Sequence, residues 1–339
     1  MRANVLHGVK DLRMEERPDP WPGPGQVLVR VEAVGVCGSD VHYYEHGRIG
    51  SYVVDRPMVL GHEAAGVVAA VGDGVTRVAV GDRVSIEPGV PDLVCPQCLA
   101  GRYNLCPARR FYATPPYDGA FAELVLTHES FAHPVPQDVD LDSAALLEPV
   151  SVAIWACLKA GVTAGDRVLV TGAGPVGLLA LQVARAFGAT ETVVTDVQPA
   201  RLAVASALGA TRVVDTSASD PTSLGAGSEP TVLLECSGHP AAVGLGLRSL
   251  APAGRAVLVG MGGDEASLPV SRIQERELTV TGTFRYANTW PTAIALVASG
   301  QVDLAPLVSG HFSLARAESA LTAHRTDPQA LKSVVHPQE

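Results

Sequence analysis

The chain has 339 residues, 47% of them hydrophobic and 18% charged, and a net charge of −10. That length suffices for two domains with full cores, and the composition excludes a disordered protein. The acidic balance, with no basic run to offset it, argues against nucleic acid or an anionic membrane as partner, and no apolar stretch approaches the roughly 18 residues of a membrane span.

Met1-Arg2-Ala3-Asn4 leads straight into a mixed strand pattern and is not read as a signal peptide. The six cysteines, three of them between Cys95 and Cys106, fit a reduced, metal-binding, cytoplasmic protein better than a disulfide scaffold. A Pro/Gly-rich loop at Pro18–Gly25 precedes the alternating strand Val27–Val31. Ala65–Val71 is strand-like, and the turn Gly81-Asp82-Arg83-Val84 feeds a strand to Glu87. The same four residues recur at Gly165–Val168 as a reused turn-to-strand entry, not as a domain repeat. Many short strands with glycine turns predict a small β-barrel or sandwich for this front part.

Two constellations of metal-binding residue types fall in it. Cys37, His62 and Glu63 offer a thiolate, an imidazole and a carboxylate, a donor set that suits a catalytic zinc. Taken alone, Cys37 also reads as a buried small hydrophobe. Glu148, before Pro149, offers a further carboxylate. Ser39 and His42 lie beside Cys37 and are placed to pass a proton towards solvent; the plainer reading is a turn serine and a surface histidine. The second constellation is Asp92-x2-Cys95-x2-Cys98-x7-Cys106, spaced to wrap one tetrahedral zinc, with Asp92 as fourth ligand. The competing reading is a loop of free thiols.

Arg167–Thr171 is a short β-branched strand ending in Gly172, Gly174 and Gly177, a G-x-G-x-x-G pattern. Gly172 permits the tight turn, Gly174 lets backbone approach a pyrophosphate, and Gly177 lets helix and strand pack closely. Pro175 suits the first helical position and Val176 follows it. The helix presents free N–H groups to phosphates and stops near Gly188. The next strand ends in Asp196, about 20 residues beyond the last glycine, where an acid accepts from ribose hydroxyls and disfavours a 2′-phosphate. NAD is therefore expected over NADP. Arg201 could pair with a 2′-phosphate, stack near adenine or simply be solvated. The alternative for the whole motif is a tight strand–helix turn without ligand.

The alternation continues with a helix at Ala200–Leu208, a strand at Arg212–Val214, a small-residue loop at Ser217–Ser228 and strands at Val232–Glu235, Ala256–Val259 and Thr279–Gly282. This predicts a parallel doubly wound sheet, with the strand ends at Ser237 and Gly260 facing the cofactor. Cys157 and Cys236 are read as packed thiols. His128, His133, His239, His311 and His324 sit in no ligand spacing and are read as surface or satisfied core residues.

With both constellations ahead of the dinucleotide motif, the chain resembles the zinc-dependent medium-chain alcohol dehydrogenase superfamily, and within it the sorbitol (polyol) dehydrogenase group. The motifs are Cys37-Gly-Ser-Asp-Val-His-Tyr43, Gly61-His-Glu63, Gly101-Arg-Tyr-Asn-Leu-Cys106, Phe111 with Ala113-Thr-Pro-Pro116, Glu148-Pro149, and Phe284-Arg-Tyr286 with Asn288-Thr-Trp-Pro291. The resemblance implies an α/β protein with a GroES-like β-rich catalytic domain at residues 1–150 and 288–339 and a Rossmann domain at 151–287. It implies catalytic zinc at Cys37, His62 and Glu63, with Glu148 bound directly or through water. Tyr43, Phe111, Arg285 and Tyr286 match positions that line a polyol pocket, and Arg285 is also expected beside the cofactor. The sequence departs from the pattern at Asp92, where many relatives carry a first cysteine. The expected activity is NAD-dependent oxidation of a secondary hydroxyl of a polyol, or of another secondary alcohol such as a vicinal diol or threonine, by a homotetramer.

Overall fold

The computed structural model describes residues 1–217, 228–263, 265–327 and 329–339. All but the ends of the expected Ser217–Ser228 loop lies outside the described residues. The chain divides into two compact units, Met1–Glu148 with Leu304–Glu339, and Pro149–Asp303.

The first unit is β-rich. Its main sheet has seven strands, six of them in the order Ala132–Pro134, Arg83–Ile86, Glu63–Val71, Gln26–Gly35, Lys332–His336 and Val308–Ser313. Leu124–His128 also pairs with Gln26–Gly35. A second sheet joins Asp11–Glu16, Arg2–Gly8 and Met58–Val59. Alternation drives this layout: along Gln26–Gly35, Val27, Val29 and Val31 point into a core shared with Leu6, Met58, Leu60, Ile86 and Phe121, while Arg30 stays exposed. The C-terminal strand returns to that core, since Val334 and Val335 lie opposite Gly35 and Val34.

The second unit holds a six-stranded, all-parallel sheet. The order is Arg212–Asp215, Glu191–Asp196, Arg167–Thr171, Val232–Glu235, Arg255–Leu258 and Thr279–Gly282. In chain order that is 3-2-1-4-5-6, the doubly wound dinucleotide arrangement. Its central strands Arg167–Thr171 and Val232–Glu235 carry buried apolar runs at residues 168–170 and 232–234. The unit runs to Asp303, whereas the sequence placed the return to the first unit at residue 288. The tie is visible: Gln182 on the helix Pro175–Ala186 donates from Nε2 to the Asp303 carbonyl at 3.0 Å and accepts from the Asp303 N–H at 2.7 Å. Among the described residues no helix is long and apolar enough to cross a membrane.

Candidate functional site

In the first unit, Cys37 is the N-cap of the helix Gly38–His46, and Glu63 opens the strand Glu63–Val71. Their ligand atoms and that of His62 all lie within 4.8 Å of one another. Asp40 draws the two segments together. It is fully buried and accepts from the Cys37 N–H at 3.0 Å and the Gly61 N–H at 2.9 Å, with Oδ1 3.6 Å from His62 Nδ1. Burial works to raise the Asp40 carboxyl, but the neighbouring His62 and the two amides outweigh it and hold it below its ordinary value. Burial likewise opposes charge on His62, yet Asp40 and Cys37 raise the imidazole well above its usual range. Such a carboxylate behind a ligating imidazole fixes its orientation.

Glu63 is held from the other side. Lys332, on the C-terminal strand, donates from Nζ to both of its carboxylate oxygens, at 2.7 and 2.9 Å, and to the Val36 carbonyl at 2.9 Å. Both side chains are buried. Burial lowers the Lys332 ammonium, but Glu63 leads the charges that raise it above the ordinary lysine value. A carboxylate has four lone-pair directions, so this pairing leaves Glu63 room for a metal. Gly35 is required for this placement, since a Cβ there would stand 2.1 Å from Glu63 Oε2. Glu148 is buried and close enough to favour the Lys332 charge, but lies outside the Cys37–His62–Glu63 group. Phe111, itself buried, packs its ring 5.8 Å from that of His62. Tyr43 is buried, Ser39 half-buried and His42 exposed, 4.7 Å from the His46 ring.

The sequence reading used Asp40 only as a motif letter and passed over Lys332. An acid three residues after Cys37, at the third helical position, is a capping signal that would have found Asp40. Nothing local marks Lys332.

The second constellation also converges. Ligand atoms of Asp92, Cys95, Cys98 and Cys106 lie within 4.8 Å of one another, with the Cys95 and Cys98 sulfurs 3.5 Å apart. Asp92 Oδ1 accepts from the Cys95 and Val94 N–H groups, both at 2.9 Å, which lower its carboxyl to about 2. Burial leads the causes that push the Cys98 thiol up to about 12. All six cysteines are free. Cys157 is buried and Cys236 half-buried, both pushed up by burial.

In the second unit the glycine turn has distinct demands at each position. Gly172 has φ +89°, and a Cβ on Gly177 would stand 1.8 Å from the Gly172 carbonyl oxygen, so helix and strand touch backbone to backbone. A Cβ on Gly174 would meet nothing within 4 Å, leaving an open approach at the N-cap of the helix Pro175–Ala186, where Pro175 and Val176 start the first turn. Asp196, at its strand's end, accepts from the Ala173 N–H at 2.6 Å and the Gln198 N–H at 2.9 Å. Arg201 Nε is buried without a hydrogen-bond partner. Buried Glu235 organises the next strand end, accepting from Thr171 Oγ1 at 3.2 Å, from the Ser237 N–H at 3.0 Å and from the Ser237 hydroxyl. Gly260 packs against that turn, because a Cβ there would stand 2.2 Å from Gly238 N. Arg285 has φ +55° and lies over the Phe284 ring at 5.1 Å, and buried Tyr286 meets Trp290 edge-on at 5.3 Å.

Residues 23–137 match the alcohol dehydrogenase GroES-like domain, and residues 175–299 the zinc-binding dehydrogenase domain. Sorbitol dehydrogenase of Bos taurus is 45% identical over 333 residues, covering 96% of this chain and 93% of its own. L-Idonate 5-dehydrogenase of Escherichia coli superposes with a TM-score of 0.94 at 32% identity, covering 99% of this chain and 98% of its own. 2R,3R-Butanediol dehydrogenase of Bacillus subtilis gives 0.91 at 31%, covering 99% of each chain.

Proposed function

The chain belongs to the zinc-dependent medium-chain dehydrogenase family, and from that premise we propose that it oxidises a secondary hydroxyl of a polyol to the ketose with NAD, and runs the reverse reduction. The observation that carries the reading is the convergence of Cys37, His62 and Glu63 on one point. When bound, zinc supplies Lewis acidity towards the substrate hydroxyl and NAD supplies the hydride acceptor.

The protein does the rest. Cys37, His62 and Glu63 hold the metal, with Asp40 orienting the imidazole and Lys332 the carboxylate. Glu148 is a further ligand or holds a water. Ser39 Oγ receives the hydroxyl proton and His42, exposed, delivers it to solvent. Phe111 shields the His62 face from water. By the family's pattern Tyr43 takes part in recognising the remaining hydroxyls, and Arg285 and Tyr286 are assigned the same task, so that a polyol is turned over better than a simple alcohol. The open backbone at Gly174 receives the pyrophosphate, Asp196 the ribose hydroxyls, and Arg201 the adenine side, with Ser237, Gly260 and Arg285 along the cofactor. The Asp92–Cys95–Cys98–Cys106 loop holds a second, structural zinc. The free thiols fit a cytoplasmic location, and the homotetramer implied by the family belongs to the same reading.

The test is a panel of hexitols, pentitols, vicinal diols and threonine, followed by NADH formation. Higher kcat/KM on polyols than on butanediol supports the reading. The opposite order transfers the activity to diols, in line with the Bacillus subtilis relative, and no turnover with any secondary alcohol overturns it.

A further inference from the structure

A third group of metal-binding side chains lies elsewhere in the first unit. Asp142 stands in the first turn of the helix Leu141–Ala145, His311 on the strand Val308–Ser313 and His336 at the end of Lys332–His336. The two strands are parallel with His311 opposite Val334, so His336, two residues on, projects from the same face. His311 Nδ1 is 3.1 Å from His336 Nε2 and 3.2 Å from Asp142 Oδ2, and His336 Nε2 is 3.5 Å from Asp142 Oδ1. The ligand atoms of all three lie within 4.8 Å of one another. The sequence shows no ligand spacing at His311, and the structure leaves it at the surface; strand pairing supplies the proximity that spacing lacks.

From this geometry we propose that Asp142, His311 and His336 form an additional site for a divalent transition-metal ion, separate from both cysteine-containing clusters. Two imidazoles and a carboxylate are a borderline nitrogen–oxygen set suited to Zn2+, Co2+, Ni2+ or Cu2+. The site has the outer support that such ligands need. His336 Nδ1 lies 3.0 Å from the Glu32 carbonyl and donates to it, which leaves the Nε2 lone pair facing the cluster. His311 is 58% exposed at its side chain, which gives an ion a path in and leaves coordination positions for water. The site pins one end of the C-terminal strand, whose other end carries Lys332 to Glu63. Its role is to fasten that strand.

Full-length protein is titrated with Zn2+ and with Co2+, and bound metal is counted by elemental analysis alongside hydrogen exchange of residues 332–336. The wild type is expected to take up one equivalent more than His311→Ala or His336→Ala, with about tenfold or greater weakening of that equivalent in Asp142→Asn. Co2+ entering here lacks sulfur-to-metal charge-transfer absorption, because the site has no thiol. Its entry slows exchange of the C-terminal strand in the wild type alone. Equal uptake by wild type and His311→Ala, or thiolate absorption accompanying every added equivalent, overturns the proposal. Should His336→Ala fail to fold, the exposed His311→Ala decides. Polyol oxidation by His311→Ala equals that of the wild type, so the fate of this site and of the proposed activity are read separately.

Discussion

The two cysteine-containing clusters of the first unit are built in opposite ways. The Asp92–Cys106 loop is self-contained: its donors come from one short stretch, and the groups that orient Asp92 are the loop's own amides. The Cys37–His62–Glu63 cluster depends on distant chain. Its histidine leans on Asp40, and its glutamate is held by a lysine 269 residues away. A local cluster needs only its loop to form; a distributed one exists only when the whole unit is folded. That contrast predicts that damage to the Asp92–Cys106 loop stays local, whereas damage around Cys37, His62 and Glu63 spreads to stability and metal content together.

The largest effect tests that contrast at its centre. His62→Ala is expected to lose the metal and lower kcat/KM by about 10³-fold or more, several kcal/mol of transition-state stabilisation. Cys98→Ser also loses one zinc but leaves kcat/KM near the wild-type value. Elemental analysis with steady-state kinetics checks both, and equal losses of activity would erase the distinction.

Next comes Lys332→Met, which leaves Glu63 as a buried uncompensated charge. Breaking such a pair costs about 3–5 kcal/mol, and a bound divalent ion beside Glu63 offsets part of it. The metal-free variant therefore unfolds at markedly lower denaturant than the metal-free wild type, and added Zn2+ narrows the gap. The lysine's folded value is raised above 10.5. Its stabilisation is thus complete below that unfolded value and is lost as pH rises through the higher folded one. The variant loses this alkaline limb of the stability profile.

Asp40→Asn is milder, about 10–100-fold in zinc affinity. In the metal-free protein the raised His62 keeps its proton above 6.5, so zinc must displace it and affinity climbs as pH rises through that region. Without the Asp40 charge the imidazole loses its proton sooner, and the climb moves to lower pH. Chelator competition across a pH series reads the shift; an unmoved midpoint would show that Asp40 acts on structure alone.

How much of this was legible in the sequence follows the same division. The glycine turn and its helix could be read because each demand is met within one strand–helix–strand unit, with Gly172 at φ +89° and Gly177 packed against the Gly172 carbonyl. The cysteine loop was legible for the same reason. Asp40 carried a short capping signal that went unused, whereas Lys332 and the Asp142–His311–His336 cluster were not legible, because their partners are far away in the chain and no short spacing marks them. The position where the chain leaves the second unit was also hidden, since it rests on Gln182 binding both backbone groups of Asp303.

The smallest predicted effect bears on Asp92, the non-thiol member of the cysteine loop. Two backbone amides hold the Asp92 carboxyl at about 2, so it is ionised near neutral pH. A thiol would have to lose its proton to do the same, and Cys98 beside it is pushed up to about 12 without metal. Asp92 thus supplies a ready anion beside a Cys98 thiol that resists charging. Asp92→Ala removes that anion and the acceptor for the Val94 and Cys95 N–H groups. It should lower zinc content by one equivalent while kcat/KM stays unchanged, whereas Asp92→Cys should restore the equivalent with a steeper pH dependence, because a further proton must leave. If Asp92→Ala keeps its zinc, the three cysteines suffice and the aspartate serves only to shape the turn.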